Sequence, residues 1–179
     1  SLYSHSITGT KPVIAHMVEH ITTHWKDSIA SHEPDWALNA APDAVWVKVK
    51  DFGAMNTWHP AVEACAAPDG NKIGSRRTLT LKGGGSVVEE LESHSDADKS
   101  FSYRMKEAGP IPVTNYSSTF AVEPGSAAGT TLVAGRGAFY RGFPHNDPPP
   151  DKNDEAAVAA VTGIYKSGLA NLKAVVEKR

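Results

Sequence analysis

The central part of the chain alternates hydrophobic and polar residues in short runs that turn-forming residues separate. Because side chains in a strand point to opposite faces in turn, each run predicts a strand with one buried face. The joints are short and rich in glycine, proline and aspartate, which favour turns between antiparallel neighbours. The pattern therefore predicts an antiparallel meander with strands near residues 61–67, 75–82, 86–94, 100–107, 116–123 and 131–140.

Helical spacing of hydrophobic residues appears on both sides of these strands. Residues 33–40 alternate as a half-buried strand would, and DAVWVKVKDF then has an apolar stripe that predicts a short helix ending at Gly53. After the proline-rich run FPHNDPPPDKND, hydrophobic residues recur at helical spacing from residue 158 to residue 176. Asn153 or Asp154 could cap the start of this long final helix.

Two glycines interrupt the final helical pattern. Gly163 and Gly168 each cost about 1 kcal/mol of helix stability relative to alanine, so we expect a neighbouring surface to approach the helix closely there. The sheet is the surface that we expect. These elements predict an α+β, helix-grip fold, in which a curved antiparallel β-sheet wraps around a long C-terminal α-helix and leaves a central cavity.

Composition narrows the classes of partner. The formal net charge of -2 among 179 residues gives no general basis for binding nucleic acid. Cys65 is the single cysteine, which excludes an internal disulfide and favours a small packed side chain. No apolar run is long enough to predict a membrane span, and the first residues lack a signal-sequence pattern, as a mature secreted chain also would.

The N-terminal region carries a metal-binding pattern. We interpret residues 1–31 as a partly helical N-terminal extension, whose extreme end could be an added segment, and residues 32–179 as the folded domain. HMVEH matches H-x-x-E-H, and on a helix His16, His20 and His24 would lie on one face, where they could bind zinc with Glu19 as a base. A polar stripe facing water explains the same spacing, so these histidines are weak metal candidates.

Several longer blocks together resemble a known superfamily. The blocks are APDAVWVKVKDFGAMNTWHPAVE, IGSRRTLTLKGGGSVVEELE, PVTNYSSTFAVEPG, GAFYRG and NDPPPDKNDEAAVAAVTGIYKSGLANLK. Residues 32–179 are similar to the SRPBCC or START-like helix-grip superfamily, in its polyketide cyclase/dehydrase-related group, and look most like the MxaD-type accessory proteins of methanol oxidation. The resemblance implies a periplasmic protein that assists methanol dehydrogenase and its cytochrome acceptor, without a cofactor of its own. A cytoplasmic location is the alternative.

Strand alternation predicts which side chains point into the cavity. Arg77 shares a face with Leu79, and Glu89 shares a face with neighbouring apolar residues, so an aromatic-lined interior would contain one charged pair. An ordinary ion pair at the rim is the structural alternative. The candidate ligand-binding residues are Trp58, His59, Arg77, Leu79, Glu89, Tyr103, Tyr116 and Phe139.

Two further pairs have alternative interpretations. Trp58 and His59 lie in a loop that we expect near the cavity mouth, where they could contact a ligand, or they could anchor the loop through local contacts. Tyr140 and Arg141 precede the proline-rich loop and could contact a protein partner or pack that loop.

The resulting functional hypotheses differ in chemistry. The first is a non-enzymatic accessory protein that binds a hydrophobic or aromatic small molecule. The second is a cyclase- or dehydratase-like enzyme that uses His59, Glu89 or Tyr103 as acid or base. The same scaffold carries both functions, so fold does not separate them.

Overall fold

The computed structural model describes residues 38–143 and 145–178. Within these ranges one antiparallel sheet contains all six predicted strands, in the order in which they follow along the chain. The strands are β1 (Val62–Ala66), β2 (Arg76–Leu81), β3 (Ser86–Ser95), β4 (Ser100–Glu107), β5 (Val113–Pro124) and β6 (Thr131–Arg141). The predicted meander is therefore confirmed, with boundaries that differ by up to three residues.

The largest difference is at the start of β5. This strand begins at Val113 because Val113 and Thr114 already pair with β6. One extra residue then bulges out before Ser117, and Asn115 has a positive φ of 50°. A bulge interrupts the two-residue alternation, which hides the first residues of the strand from sequence reasoning.

The turn between β2 and β3 depends on the triple glycine. Gly84 and Gly85 have φ values of 100° and 83°, a left-handed conformation that glycine adopts without a steric penalty. The glycines therefore form the hairpin turn that joins β2 to its antiparallel neighbour β3.

Two helices and a 3-10 helix complete the described fold. Helix α1 (Pro42–Val49) ends before Gly53, which instead belongs to the 3-10 helix Phe52–Thr57. Leu38 forms a single bridge with Thr131 of β6, so a full strand at residues 33–40 is not seen in the part that the structure describes. Residues 1–37, including the predicted N-terminal helix, lie outside the described residues.

Helix α2 (Asp154–Val176) packs against the inner face of the sheet. Its first turn is capped by Asn153, whose side-chain oxygen accepts a hydrogen bond from the Ala156 amide at 2.8 Å. Val161 and Leu172 are buried in the common core. The α+β helix-grip architecture is confirmed: a curved six-stranded antiparallel sheet holds the C-terminal helix.

The predicted faces of the strands are also observed. Arg77, Glu89 and Tyr103 are buried, whereas Glu90 is half-buried and Arg136 is exposed, at the border of the smaller cavity described below. Cys65 is partly buried, and burial raises the pKa of its thiol.

Candidate functional site

Two cavities lie between the sheet and α2. The smaller has a volume of about 300 Å³ and is bordered by β5, β6 and α2 together with Trp58. The larger has a volume of about 510 Å³ and is bordered by β1, β2, β3 and α2. Most of the lining is hydrophobic, which suits the burial of an apolar ligand. The residues that border both cavities are Met55, His59, Tyr103 and Ile164.

His59 is fixed between the cavities by its two ring nitrogens. Nε2 donates a hydrogen bond to the Ile164 carbonyl oxygen at 2.9 Å, and Nδ1 accepts one from the Ala61 amide at 3.2 Å. These partners require the neutral tautomer with its proton on Nε2. Burial lowers the pKa of His59, and the positive charge of Arg77 acts in the same direction. His59 is therefore a neutral, positioned side chain.

Trp58 is anchored beside His59. The Trp58 side chain is buried, and Asn171 of α2 donates a hydrogen bond to its carbonyl oxygen. The ring of Trp58 borders the smaller cavity and contacts Phe120, with ring centroids 5.7 Å apart. The loop of Trp58 and His59 thus forms part of the cavity wall. Its hydrogen bonds agree with the interpretation that these two residues anchor the loop.

Arg77 and Glu89 form an ion pair inside the protein. Nε and one terminal nitrogen of Arg77 lie 2.7 Å and 2.6 Å from the same oxygen of Glu89, Oε2. The second terminal nitrogen donates to the Phe52 carbonyl oxygen at 3.0 Å. The guanidinium also lies 4.1 Å from the centre of the Phe52 ring and 4.9 Å from that of Tyr103. This pair belongs to the interior and not to the rim.

The environment favours the charged form of Arg77. Burial opposes the charge of Arg77, but the attraction and hydrogen bond of the Glu89 carboxylate, together with Tyr103 and Cys65, raise the pKa of the guanidinium above its ordinary value. Glu89 borders the larger cavity, whereas Arg77 lies behind it and borders neither cavity. The predicted pair is thus brought together, with only the carboxylate facing the space where a ligand would bind.

A cluster of hydroxyl groups joins the sheet to α2. The Tyr165 hydroxyl lies 2.6 Å from that of Tyr116 and 2.8 Å from that of Ser118. Burial raises the pKa of Tyr116 and of Tyr165, so both are neutral hydrogen-bonding groups at physiological pH. Burial and the Glu89 carboxylate likewise raise the pKa of Tyr103. Of the hydroxyl cluster, Tyr165 and Ser118 border the smaller cavity.

Tyr165 and Ser118 were not predicted as site residues. Tyr165 counts in the sequence only as one member of a hydrophobic helical stripe. A signal was present in β6, where Gly135 and Gly137 leave the inner face without side chains. A Cβ atom at Gly137 would lie only 2.6 Å from the Tyr165 hydroxyl oxygen. Two inward glycines in a strand therefore indicate a large side chain opposite them.

The remaining predicted cavity residues separate into two groups. Leu79, Tyr103 and Tyr116 border the larger cavity. Phe139 does not: its side chain is completely buried and stacks on Tyr116, with ring centroids 5.8 Å apart. A side chain that points inward from the sheet does not always border a cavity, because α2 covers part of the inner face.

Arg141 holds the proline-rich loop. Its Nε and one terminal nitrogen donate to the carbonyl oxygens of Phe143 and His145 at 2.8 Å and 2.7 Å. The other terminal nitrogen lies 3.5 Å from a carboxylate oxygen of Asp154 at the start of α2. These contacts and its burial support the loop-packing interpretation of Arg141. Tyr140 is half-buried beside it.

The described residues contain no cluster of histidine, cysteine, aspartate and glutamate that could bind a metal ion. His16, His20 and His24 lie outside the described residues. No described helix has the length and hydrophobicity that crossing a membrane requires.

Comparisons with solved structures agree with this architecture. The protein XoxI from Bacillus cereus is 28% identical, with a TM-score of 0.67 over 78% of this chain and 90% of XoxI. An uncharacterised protein from Bacillus thuringiensis is 29% identical, with a TM-score of 0.68 over 79% and 95% of the two chains. The ZhuI aromatase/cyclase from Streptomyces sp. R1128 is 16% identical, with a TM-score of 0.57 over 78% and 87%, which shows a common fold alone.

A family comparison covers most of the chain. No curated protein sequence matches it. Residues 36–177 match the family described as polyketide cyclase / dehydrase and lipid transport, which includes both cavities and every element that borders them. With its curved sheet, its gripped helix and its mostly hydrophobic interior, this chain belongs to the polyketide cyclase / dehydrase and lipid transport family.

Proposed function

We propose that this protein binds a mostly hydrophobic small molecule in the space between its sheet and α2, and that it acts as a carrier or accessory protein. The observation that supports this most strongly is the pair of adjoining cavities, of about 300 Å³ and 510 Å³, with mostly hydrophobic walls. The description of the family, which includes lipid transport, also favours a hydrophobic ligand.

The positions of the polar groups support binding over catalysis. Both nitrogens of His59 are engaged with backbone groups, so accepting a proton at Nδ1 would break the bond with Ala61. Tyr103, Tyr116 and Tyr165 are kept neutral by burial. A positioned hydrogen-bonding group that gains no proton can orient a ligand, whereas acid–base catalysis needs a group that titrates near the working pH.

A ligand-binding measurement tests this proposal. Met105 borders the larger cavity and is half-buried, so Met105→Trp would fill the space with little disturbance of the packed core. We expect this variant to lose most of the affinity for naphthalene-type ligands that the wild type binds. Val47→Trp is the matched control, because Val47 is 65% exposed on α1. Equal affinity in all three proteins would contradict cavity binding.

The MxaD-like role is the narrower part of the proposal. In this role the protein is periplasmic and assists electron transfer from methanol dehydrogenase to its cytochrome acceptor. The resemblance of the blocks from residue 41 to residue 173 supports it, and cytoplasmic location remains the alternative. The test is the rate of cytochrome reduction by methanol dehydrogenase with and without the full chain. An unchanged rate would contradict this role while leaving ligand binding intact.

A cyclase- or dehydratase-like enzyme is the second candidate. Glu89 is the observation that favours it, since a carboxylate bordering a hydrophobic cavity can act as a base. Incubation with an aromatic polyketide-like substrate, followed by mass spectrometry, would detect turnover. Product formed by wild type and lost in His59→Ala and Glu89→Gln would support the enzyme. Ligand binding without turnover supports the carrier.

A further inference from the structure

Arg77 engages only one of the two carboxylate oxygens of Glu89. Both short contacts from Arg77 end on Oε2, at 2.7 Å and 2.6 Å. Among the residues that the structure describes, none donates a hydrogen bond to Oε1. The Glu89 side chain is only 6% exposed and borders the larger cavity. Oε1 is therefore an acceptor that stays accessible beside the cavity, and a ligand bound there could donate a hydrogen bond to it.

We infer that the larger cavity selects a neutral ligand with a hydrophobic ring system and one hydroxyl group, and that this hydroxyl donates a hydrogen bond to Oε1 of Glu89. This inference rests on the proposed binding function and names the class of ligand. Leu79, Val87 and Val161 provide apolar walls around the carboxylate, and the rings of Tyr103 and Tyr116 provide flat surfaces for an aromatic body.

The charges around Glu89 favour a neutral donor over a charged one. Arg77 already neutralises the carboxylate at 2.6 Å, so a cationic ligand gains little net attraction. The same cation would also meet the positive charges of Arg77 and of Lys82, which borders this cavity. A carboxylate ligand has no proton to donate to Oε1 of Glu89. Both charged classes also lose hydration on entering a mostly hydrophobic space.

Three naphthalene derivatives with the same ring position separate these classes. Naphthol carries the hydroxyl donor, its methyl ether has the same ring without the donor, and naphthoate carries a negative charge. In titration calorimetry with the full chain at neutral pH, we expect naphthol to bind about tenfold or more tightly than the ether, because hydrogen bonds to charged groups are among the stronger ones. We expect naphthoate to bind more weakly than naphthol.

Two double variants test whether Glu89 is the residue that accepts the hydrogen bond from the ligand hydroxyl. Replacing both partners by hydrophobic residues, Arg77→Met with Glu89→Leu, removes the acceptor without leaving a buried charge, so this variant is expected to fold. The neighbouring pair Arg76 and Glu90, in the same register on the outer face, supplies the control Arg76→Met with Glu90→Leu. The preference for naphthol should disappear in the first variant and persist in the control.

The outcomes distinguish this inference from the proposed function. Equal affinity of wild type for naphthol and its ether would overturn the inference while cavity binding stands. A preference for naphthol that survives in the Arg77→Met, Glu89→Leu variant would overturn the role of Glu89. If neither naphthol nor the ether binds the wild type, both the inference and the binding function fail.

Discussion

The imidazole of His59 lies against Gly168 of α2 so closely that no side chain fits between them. A Cβ atom at position 168 would lie 2.7 Å from Cδ2 and 2.9 Å from Nε2 of His59. The expected close approach at Gly168 is confirmed, but the neighbouring surface is the loop of Trp58 and His59 and not the sheet. Gly163 has no neighbour within 4 Å of its Cβ position, so the expectation was wrong there.

The contrast between the two glycines predicts opposite effects of alanine. Gly168→Ala should lower the free energy of unfolding by about 1–3 kcal/mol, because His59 is held by two hydrogen bonds and must move. Gly163→Ala, the matched control on an exposed part of the same helix, should raise it by about 0.5–1 kcal/mol through helix propensity. Urea denaturation measures both. Stabilisation by both substitutions would contradict the contact.

His59 predicts a decrease in stability at mildly acidic pH. Burial lowers its pKa below the ordinary 6.5, so the unfolded chain binds the proton more tightly than the folded protein. Above pH 6.5, His59 contributes fully to the free energy of unfolding. This contribution decreases as the pH falls from 6.5 towards the lowered pKa. His59→Gln should flatten this part of the stability curve in urea denaturation at several pH values, whereas His145→Gln, at an exposed position, should not. An unchanged slope in His59→Gln would assign the pH dependence to other groups.

The buried ion pair predicts strong coupling between its two partners. Arg77→Met alone should reduce the free energy of unfolding by about 3–5 kcal/mol, because it leaves the Glu89 carboxylate buried without its cation. Adding Glu89→Leu should recover most of that loss. The exposed pair of Arg76 and Glu90 should show a coupling of about 1 kcal/mol or less. A double-mutant cycle by denaturation measures each coupling, and additive effects at Arg77 and Glu89 would contradict the pairing.

The hydroxyl cluster predicts unequal effects of removing its members. Tyr165→Phe removes the hydroxyl that bonds both Tyr116 and Ser118, so it should cost about 1–3 kcal/mol by leaving two buried groups without this partner. Tyr116→Phe removes one of these bonds and should cost less. Thermal and urea unfolding of the two variants provide the comparison. A smaller loss of stability for Tyr165→Phe than for Tyr116→Phe would contradict the central position of Tyr165 in the cluster.

Local chemistry determined the elements of this fold. Alternation along the strands, glycines in the β2–β3 turn and Asn153 at the start of α2 act over a few residues, so each could be identified from neighbouring positions. The same alternation predicted that Arg77 and Glu89 point inward. The resemblance of the longer blocks to known helix-grip proteins agreed with these local signals.

Only the tertiary structure decided how the inward residues are used. Arg77 and Phe139 point inward but border neither cavity, because the first lies behind Glu89 and the second packs on Tyr116. Tyr165 joins the site because α2 crosses the sheet where β6 has two glycines. His59 receives its partners from residues 61 and 164, the second of which is remote in sequence. Periodicity gives the direction of a side chain, whereas contacts between distant segments depend on how those segments pack.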